Sequence, residues 1–566
     1  MRRRTSGPLG AAALVLAGFG SCAPARPDSV QRIRQAPAVE QGGTLRRLGR
    51  SYVTRREGIL EARFEGTAYE RGYARGALAY EEIVRGEKTI QNLVRRFFPS
   101  AISRFFLRRT VASRLRGSLP EIPEERREEI VGLSDAIEPD PFPNDWNPYA
   151  RHLALIALHD LSQRFADDTP LAAACTGFLA SGSATAGGHT LLARNFDFEA
   201  DTLFDREKIV AYVVPDRGIP YLTVTFAGLT GVTTGFNREG IGIAIHAWSG
   251  GTTGSVGEPA TLVAADVLER SSTVDEAVSI LRAAAVFVSD IYLLADGKTG
   301  ELAVVEKTPR AFAVRRGGEL LAVANHPETP RFSGGRPLNA SSTSTYRRAR
   351  LEEVLGNRGK PLDVLAAVGV LRDRRGLAGK DIGPGNRNAI NALIASHSVV
   401  LDLTARKAWV ADAPHGLGRF VAYSLDVGAA AEPTDSRLAD LSRLAIAPDP
   451  WLLSGGYADF EAARRLFFQG RAAFKRGSPA AAEANADQAV GLAPGFVEAL
   501  ALRAQARASM GMTDEALSDC SAALDRDPAP PTFRRSLETF CAAVGAGKRA
   551  PADLAYPVSP SDPPLR

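Results

Sequence analysis

Apolar and polar residues alternate along many short stretches of this chain, and a period of two residues is typical of strands in a sheet. Residues 175–182 and 191–198 alternate in this way and are joined by a polar, glycine-rich turn at 183–188, so they predict a β-hairpin. Cys175 is the first residue of one arm, and Arg194-Asn195-Phe196-Asp197 lies in the other. A cysteine and a charged cluster are therefore expected in neighbouring strands.

More strands and helices are predicted after this hairpin. The strands are predicted at 208–214, 221–226, 231–236, 241–247, 290–294, 302–306, 311–314, 320–324, 398–402, 407–411 and 420–425, and the helices at 260–270, 274–284, 346–355 and 361–370. Thr273 and Glu276 have the spacing of a capping box at the start of the second helix. Runs of strands with helices grouped between them indicate an α+β fold in which stacked sheets lie between helical layers.

The chain before Cys175 has mainly helical periodicity. Residues 60–64 alternate like an edge strand, and Thr67 and Glu70 have capping-box spacing, so a helix is expected to begin there. A proline-rich stretch interrupts the pattern before another helix at 148–165. Residues 51–174 are therefore predicted to form a mainly helical pro-segment, or α-chain, ahead of the cysteine.

The N-terminus has the composition of an export signal. Arginines at 2–4 precede an apolar stretch at 9–20 that is too short to span a bilayer. Small residues before Cys22 resemble a bacterial lipoprotein cleavage site, although Phe19 stands where leucine is usual. Residues 1–22 are thus predicted to be a signal peptide, with Cys22 lipidated and the protein anchored in the cell envelope; plain secretion is the alternative. Residues 23–50 are predicted to be a flexible tether.

From about residue 457 the pattern changes to alanine-rich helices. Small residues and a proline recur after 34 residues: Gly470, Gly477, Ala482, Ala489 and Pro494 are followed by Ala504, Gly511, Ala516, Ala523 and Pro528. This period resembles tetratricopeptide repeats, so 457–547 is predicted to be an all-α segment of such repeats. It would offer a surface for a protein partner, or only pack on the rest of the chain. Residues 548–566 are predicted to be disordered.

Composition narrows the classes of function. The 566 residues suggest two or three domains, and a hydrophobic content of 45% permits a large core. The net charge of +5 is spread over mixed acidic and basic residues, which argues against nucleic acid as the main partner. The histidines are scattered without metal-ligand spacing, so neither a metal nor an organic cofactor is expected. The cysteines suggest no disulfide framework, and Cys520 and Cys541 are interpreted as buried apolar residues.

The chemistry of Cys175 depends on the peptide bond before it. If the chain is cut between Ala174 and Cys175, the cysteine gains a free α-amine next to its own thiol. An α-amine has an ordinary pKa of about 7.7–8.0, so near neutral pH a useful fraction is unprotonated and can act as a base. The alternative is that a lone cysteine after an alanine-rich stretch is a buried small hydrophobic residue.

Several short motifs, in order along the chain, resemble one enzyme family. They are Gly66-Thr67-x-Tyr69-Glu70-x-Gly72, Cys175-Thr176, Arg194-Asn195-Phe196-Asp197-Phe198, Gly235-Phe236-Asn237-x-x-Gly240, Asn325-His326, Ser344-x-x-Arg347 and Val399-x-Leu401-Asp402. Over about residues 51–430 the chain resembles the peptidase C45 family, the acyl-coenzyme A:6-aminopenicillanic acid acyltransferase group of N-terminal-nucleophile hydrolases. It is more distantly similar to bile-salt hydrolases. The resemblance implies an αββα sandwich, a catalytic domain at 175–433, and a precursor that cuts itself before the cysteine.

The resemblance also implies roles for particular residues. Cys175 would be both the autoproteolysis residue and the nucleophile, and Asp197 would hold the liberated amine. Arg194 matches the bile-salt-hydrolase branch, Asn325 would donate to the oxyanion, and Arg347 would brace the site. The alternatives are a structural ion pair for Asp197 and Arg347, and a turn-forming role for Asn325.

The chain departs from the family pattern near residue 246. The family usually presents an asparagine there, whose neighbourhood helps to form the oxyanion hole, whereas this chain has Ile245-His246-Ala247. Either His246 or the backbone at Ala247 could donate a hydrogen bond to the oxyanion or the substrate. His246 could also be a histidine that is satisfied by neighbours at the end of a strand.

These inferences predict an exported, self-processing cysteine amidohydrolase or acyltransferase that acts on small, linear, non-peptide N-acyl amides through a Cys175 thioester. Hydrolysis and transfer share that intermediate, and export favours hydrolysis because an exported protein meets little acyl-coenzyme A. One alternative is a catalytically degenerate envelope scaffold whose repeats bind a partner protein. The other is a phospholipase-B-like lipid hydrolase on the same fold.

Overall fold

A computed structural model describes residues 23–30, 40–42, 44–164, 174–199, 201–248, 253–254, 256–332, 342–430, 435–551 and 553–557. The predicted signal peptide at 1–22, with its lipidation residue Cys22, lies outside these residues. Residues 552 and 558–566 of the predicted disordered tail lie outside them as well, but the prediction is wrong for 553–557, where Leu554 and Tyr556 are buried against the C-terminal helices and the Tyr556 hydroxyl donates to Gln505 at 2.6 Å.

The described strands are short and follow one another along most of the chain. They are β1 (Glu40–Gly42), β2 (Leu45–Leu48), β3 (Ser51–Arg56), β4 (Ile59–Gly66), β5 (Ala174–Gly182), β6 (Gly188–Asp197), β7 (Lys208–Pro215), β8 (Tyr221–Phe226), β9 (Thr234–Asn237), β10 (Ile241–Ala247), β11 (Asp290–Asp296), β12 (Leu302–Lys307), β13 (Phe312–Arg316), β14 (Leu320–Val323), β15 (Ala395–Asp402), β16 (Lys407–Ala411) and β17 (Phe420–Ser424). They lie close to the strands that the alternation of apolar and polar residues predicts.

The strands form two sheets. The larger has the order β1-β2-β3-β4-β7-β8-β9-β10-β11-β12-β13, and the smaller has the order β14-β5-β6-β15-β16-β17. Strand β4 pairs in parallel with β7, while the other described pairs are antiparallel. The smaller sheet therefore holds the predicted hairpin, β5 and β6, at its centre.

The helices lie before, between and after the strands. Before the hairpin they are α1 (Ala68–Leu78), α2 (Tyr80–Phe97), α3 (Ala101–Ser118), α4 (Glu124–Asp135), α5 (Pro148–Ile156) and α6 (Leu158–Arg164). Among and just after the later strands along the chain they are α7 (Thr202–Arg206), α8 (Ala260–Arg270), α9 (Val274–Ala283), α10 (Ser344–Gly356), α11 (Val364–Leu371) and α12 (Leu425–Gly428). Short 3-10 helices cover Leu119–Glu121, Pro330–Phe332 and Leu377–Gly379. Helix α1 begins at the predicted capping box, in which Thr67 and Glu70 bond reciprocally.

Three apolar layers hold these elements together. Side chains of the two sheets meet face to face in one buried layer, for example Leu192 of the smaller sheet and Leu293 of the larger. The outer face of the larger sheet packs on α8 and α9, and the outer face of the smaller sheet packs on α10 and α11. The fold is thus the αββα sandwich that the motifs implied.

The structure corrects the prediction for the residues before α1. Residues 60–64 are not an edge strand, because β4 pairs with β3 on one side and with β7 on the other. Their alternation was misleading because the polar side chains are buried too: Glu61 accepts from Arg56 at 2.6 Å, and Arg63 donates to a backbone carbonyl. Nor is all of 23–50 a tether, since β1 and β2 extend the larger sheet.

The C-terminal segment is all helical, as predicted. Its helices are α13 (Asp435–Arg443), α14 (Pro450–Leu453), α15 (Gly456–Lys475), α16 (Pro479–Leu492), α17 (Val497–Ser509), α18 (Thr513–Leu524) and α19 (Pro531–Gly545). Cys520 and Cys541 are buried here, but they form a disulfide, which corrects their interpretation as simple apolar residues. Helices α18 and α19 bring their α-carbons to 5.9 Å, a proximity that cysteine spacing alone does not reveal. Among the described residues, no helix is both long and apolar enough to cross a membrane.

Candidate active site

Strands β5 and β6 bring the predicted cysteine and charged cluster together. In their register, Ala174 lies opposite Asp197 and Cys175 lies opposite Phe196. Gly182 ends the first arm with a φ of +58°, a left-handed conformation that glycine adopts without strain. The local alternation that predicted the hairpin therefore also fixes which side chains face each other.

Cys175 is fully buried and is held from two directions. Its backbone N–H donates to Oδ1 of Asn325 at 2.8 Å, and its Sγ accepts from Nη2 of Arg194 at 2.7 Å. Burial raises the pKa of the Cys175 thiol, while the Arg194 guanidinium opposes that rise. Removal of the sulfur from water disfavours the thiolate, and the positive charge of Arg194 favours it.

Arg194 is itself fixed by the larger sheet. Its Nη1 donates to the carbonyl of Thr233 at 2.9 Å and to Oγ1 of Thr234 at 3.0 Å. These contacts leave Nη2 directed at the sulfur of Cys175. Burial lowers the pKa of Arg194, and the neighbouring cysteine raises it in part. Arg194 thus links the nucleophile to the facing sheet.

Asn325 lies just beyond the end of β14 and uses every polar atom of its amide. Oδ1 accepts from Cys175 N and from Nη2 of Arg347, both at 2.8 Å, while Nδ2 donates to the carbonyl of Ala247 at 2.8 Å. In the uncut chain the amide therefore holds the nucleophile's backbone. Nδ2 carries two N–H groups, so it has a second donor beyond the one that bonds to Ala247.

Arg347 reaches the same point from helix α10. Its Nη1 donates to the carbonyl of Cys175 at 2.6 Å and to Oγ1 of Thr176 at 2.5 Å, in addition to the bond from Nη2 to Asn325. The guanidinium is buried, and burial lowers its pKa while Asp197 raises it. This geometry agrees with a bracing role and is more specific than a simple ion pair with Asp197.

Asp197 is buried at the end of β6, and its Oδ1 accepts no hydrogen bond from the described residues. Burial raises the pKa of the carboxyl to about 6, against the opposing charges of Arg347 and Arg387. An unpartnered buried carboxylate oxygen is costly, so this site has room for a further donor. An α-amine on Cys175 would be such a donor, since Asp197 lies opposite the residue before it.

His246 and Ala247 end strand β10 beside this group. Nδ1 of His246 lies 3.2 Å from the carbonyl of Ala324, an acceptor, so Nδ1 carries the proton. Burial holds the pKa of His246 well below its usual range, so the ring is neutral and Nε2 can only accept. Gly177 has no side chain, and this allows the ring of His246 to pack close to strand β5. A Cβ built on Gly177 would lie only 3.1 Å from Nε2. In this arrangement His246 is not an oxyanion donor, and Ala247 contributes its carbonyl rather than an N–H.

Sequence reasoning missed several supports of the site. Thr233 and Thr234 position Arg194, and the hydroxyl of Ser344 accepts from the backbone N–H of Asn325 at 2.7 Å. Ser344 was visible as part of a motif, but without a role. The two threonines carry no local signal, because only the packing of the sheets brings them to the arginine.

An apolar cavity lies beside the nucleophile. It measures about 90 Å³ and is walled by side chains of α2, α5, α6, α7, β6 and β8, including Ile83, Ile90, Leu155, Leu158, Phe196, Phe198, Phe204 and Phe226. Cys175 packs in the same apolar cluster as Phe196 and Phe204. A larger cavity of about 460 Å³ shares Ile90, Leu155 and Phe198 with it and extends toward α3. The helical residues before the cysteine thus provide much of the wall of a continuous apolar cleft.

The described residues contain no group of His, Cys, Asp or Glu side chains that could hold a metal ion.

Comparisons with known proteins find a family match over about a third of the chain, in a segment that begins after Cys175. Residues 184–376 match the family model described as acyl-coenzyme A:6-aminopenicillanic acid acyl-transferase. This match confirms the resemblance that the motifs indicated, and it supports an amidase or acyltransferase of the N-terminal-nucleophile type.

The similar proteins are distant. An uncharacterized protein of Archaeoglobus fulgidus is 28% identical over 272 residues, and the match covers 44% of each chain. The N-acylethanolamine-hydrolyzing acid amidase ortholog of Caenorhabditis elegans is 20% identical, with a TM-score of 0.31 over 41% of this chain and 93% of that one. A mutant of the conjugated bile acid hydrolase of Clostridium perfringens is 14% identical, with a TM-score of 0.30 over 42% and 89%.

Proposed function

We propose that this protein is a self-processing cysteine amidohydrolase that cleaves linear N-acyl amides through a thioester on Cys175. The observation that carries the proposal is the convergence of Arg194 on the sulfur, Asn325 on the backbone nitrogen and Asp197 on the same short hairpin. A buried structural cysteine needs neither of the two contacts nor the nearby carboxylate. The family match supports the reaction class.

In the first reaction the enzyme acts on its own chain. Sγ of Cys175 adds to the carbonyl carbon of Ala174, the bond to the Cys175 nitrogen breaks, and that nitrogen takes the thiol proton. Water then hydrolyses the thioester, which leaves a carboxylate on Ala174 and a free amine on Cys175. Arg347 and Asn325 support this step because they fix the carbonyl and the N–H of Cys175.

In the second reaction the new amine is the base. It accepts the proton of Sγ, and the thiolate attacks the carbonyl carbon of the substrate amide. The C–N bond of the substrate breaks, its amine leaves with the proton, and water hydrolyses the acyl thioester to a carboxylic acid. Asp197 holds the amine in place, and a donor aimed at the oxyanion is worth roughly 10²–10³ in rate.

The apolar cleft favours a substrate with an apolar acyl chain. Its walls are aromatic and aliphatic, and some of them, such as Phe196 and Phe204, pack in the same cluster as Cys175, which suits an apolar acyl chain near the nucleophile. We also propose that export and lipidation at Cys22 keep the enzyme away from acyl-coenzyme A, which makes water the usual acceptor. That the C-terminal helices bind a protein partner is a separate proposal.

The test is a series of N-acyl amides with acyl chains of increasing length, assayed with acid quenching and mass analysis of the peptide that contains Cys175. We expect turnover to rise with apolar chain length, and the quenched peptide to gain the mass of the acyl group. The matched control is Cys175→Ala, which should be inactive. Turnover that survives in Cys175→Ala contradicts the proposal, and cleavage of ester lipids without amides favours the phospholipase-like alternative.

A further inference from the structure

In the turn between α18 and α19, the side chain of Asp527 contacts the catalytic sandwich. Its Oδ2 accepts from the hydroxyl of Tyr346 at 2.8 Å, and its Oδ1 accepts from Nζ of Lys380 at 3.0 Å. Its backbone has a φ of +48°, which is uncommon outside glycine but more accessible to aspartate and asparagine. Asp527 therefore presents both carboxylate oxygens to the catalytic part of the chain.

Tyr346, which makes the first of these contacts, is adjacent in sequence to Arg347 of the candidate site. Tyr346 and Arg347 are neighbours in the first turns of α10, and Arg347 holds the carbonyl of Cys175. Ser344, in the same turn, holds the backbone of Asn325. The start of α10 is thus fixed to the nucleophile by one face and to the C-terminal helices by another.

The hydroxyl of Tyr346 is well suited to this bond. It accepts from the backbone N–H of Leu377 at 3.1 Å while it donates to Asp527. Burial raises the pKa of Tyr346 to about 12, so the hydroxyl keeps its proton. A hydrogen bond to a carboxylate is stronger than one between neutral groups.

A second connection runs through the loop at 382–388. Nδ2 of Asn386 donates to the carbonyl of Arg526 at 3.0 Å, and Nδ2 of Asn388 donates to the carbonyl of Asp527 at 3.1 Å. Arg387, between these two asparagines, donates to Glu199 at 2.6 Å, just after strand β6. Arg387 also lowers the pKa of Asp197. Both connections from this turn therefore end at groups of the candidate site.

We propose that Asp527 is a positioning residue for catalysis, which holds the start of α10 through Tyr346 so that Arg347 stays on Cys175. This inference rests on the proposed function and adds to it a role for the C-terminal helices within their own chain. A small displacement of Arg347 is sufficient, because misplacement by about 1 Å can cost on the order of 10²-fold in rate.

The experiment compares Tyr346→Phe and Asp527→Asn in the full chain. Each removes part of the bond from the tyrosine to the carboxylate, and asparagine suits the backbone conformation of residue 527. We expect kcat on an N-acyl amide to fall by roughly tenfold in each, with little change in KM, and the double variant to be no worse than the poorer single one. The matched control is Arg534→Ala, which removes a contact with Asp527 at 3.6 Å that does not lead to α10.

The pH profile separates positioning from a general loss of stability. Arg347, Arg387 and Arg194 lower the pKa of Asp197, and Glu199 raises it. If Arg347 or Arg387 is less well held, that pKa rises, so the acid limb of kcat should move to higher pH in both variants but not in Arg534→Ala. Activity is referred to the folded fraction of each preparation, measured by denaturant unfolding, so unfolded protein does not count.

The outcomes are distinct from those of the proposed function. If the unmodified chain is inactive, or Cys175→Ala is active, the proposed function fails and this inference fails with it. If the unmodified chain is active but both variants keep its kcat and its acid limb, only the role of Asp527 is overturned. The same holds if their activity falls only in proportion to the folded fraction.

Discussion

At the scale of single residues, the site depends on buried charges that the protein holds in place with few direct partners. Arg194 and Arg347 are both buried, yet each donates to Cys175 itself or to its backbone. Asp197 has one oxygen without a hydrogen bond from the described residues. Unsatisfied buried polar groups reduce stability, so their presence here is more easily explained by chemistry than by folding.

Asp197 gives a prediction about stability and pH. Burial raises its pKa from an ordinary 3.8 to about 6, so the folded state binds the proton more tightly than the unfolded state. The uncut chain should therefore lose stability as pH rises through the window from about 4 to 6, by an amount on the order of 3 kcal/mol. Denaturant unfolding at several pH values measures this in Cys175→Ala, which stays uncut.

Asp197→Asn in the same background is the comparison. The amide does not titrate, so the part of the pH dependence that belongs to residue 197 should disappear. In the otherwise unmodified chain, Asp197→Asn should also slow turnover by at least tenfold, because the liberated amine loses its carboxylate. An unchanged pH dependence together with full activity would show that residue 197 neither titrates in this window nor holds the amine.

At the scale of elements, local sequence patterns predicted the features that depend only on residues close together in the chain. The hairpin of β5 and β6, the capping box at Thr67 and the strand at Tyr221–Phe226 all follow from residues within a few positions of one another. Strand β4 was predicted as well, but its position inside the sheet was not, because its buried Glu61 and Arg63 find partners on a neighbouring strand and at Ala429, just after α12. A period of two describes which side each residue faces, not whether that side is exposed.

The residues of the candidate site also differ in whether local sequence reveals them. Cys175, Arg194 and Asp197 lie on one hairpin and could be found from the sequence. Asn325 and Arg347 were found only through resemblance to a family, since 150 and 172 residues separate them from Cys175. Two further features depend on tertiary packing alone. Thr233 supports Arg194, and Asn325 accepts a hydrogen bond from Cys175 in the uncut chain instead of donating one.

One close contact between elements can be tested through stability. Helices α1 and α4 cross at Gly72, where an added Cβ would collide with the backbone carbonyl of Glu129. Gly72→Ala should destabilise the chain by about 1–3 kcal/mol, because backbone cannot move aside as a flexible side chain can. The matched control is Gly369→Ala in α11, whose new Cβ would meet no atom within 4 Å and should be neutral or stabilising.

Denaturant midpoints at fixed pH provide the measurement for both glycine variants. Equal midpoints for Gly72→Ala and Gly369→Ala would mean that the crossing of α1 and α4 relaxes freely. It would then not explain why the motif that begins at Gly66 contains a second glycine.

At the scale of the whole molecule, three parts of the chain meet at one cysteine. The helices before Cys175 wall the apolar cleft, the two sheets supply the charged groups, and the C-terminal helices contact α10 and the loop at 382–388. If the chain is cut before Cys175 as proposed, the residues that precede the cut would remain part of the enzyme. This explains why a pro-segment would stay bound rather than dissociate, since β3 and β4 belong to the larger sheet.

The disulfide between Cys520 and Cys541 also belongs at this scale. Disulfides persist in oxidising compartments, so this pairing is compatible with the predicted export. It joins α18 and α19, the two helices on either side of the turn that contains Asp527. The cross-link therefore restrains the part of the C-terminal segment that contacts the catalytic sandwich.

The central claim is that Cys175 becomes an N-terminal nucleophile, and the most direct measurement is the intact mass of the purified protein beside Cys175→Ala. The account predicts two chains from the unmodified protein, the second beginning at Cys175, and a single uncut chain from the variant. A single uncut chain from the unmodified protein, unchanged over days near neutral pH, would contradict it, because Cys175 would then have no amine to act as its base.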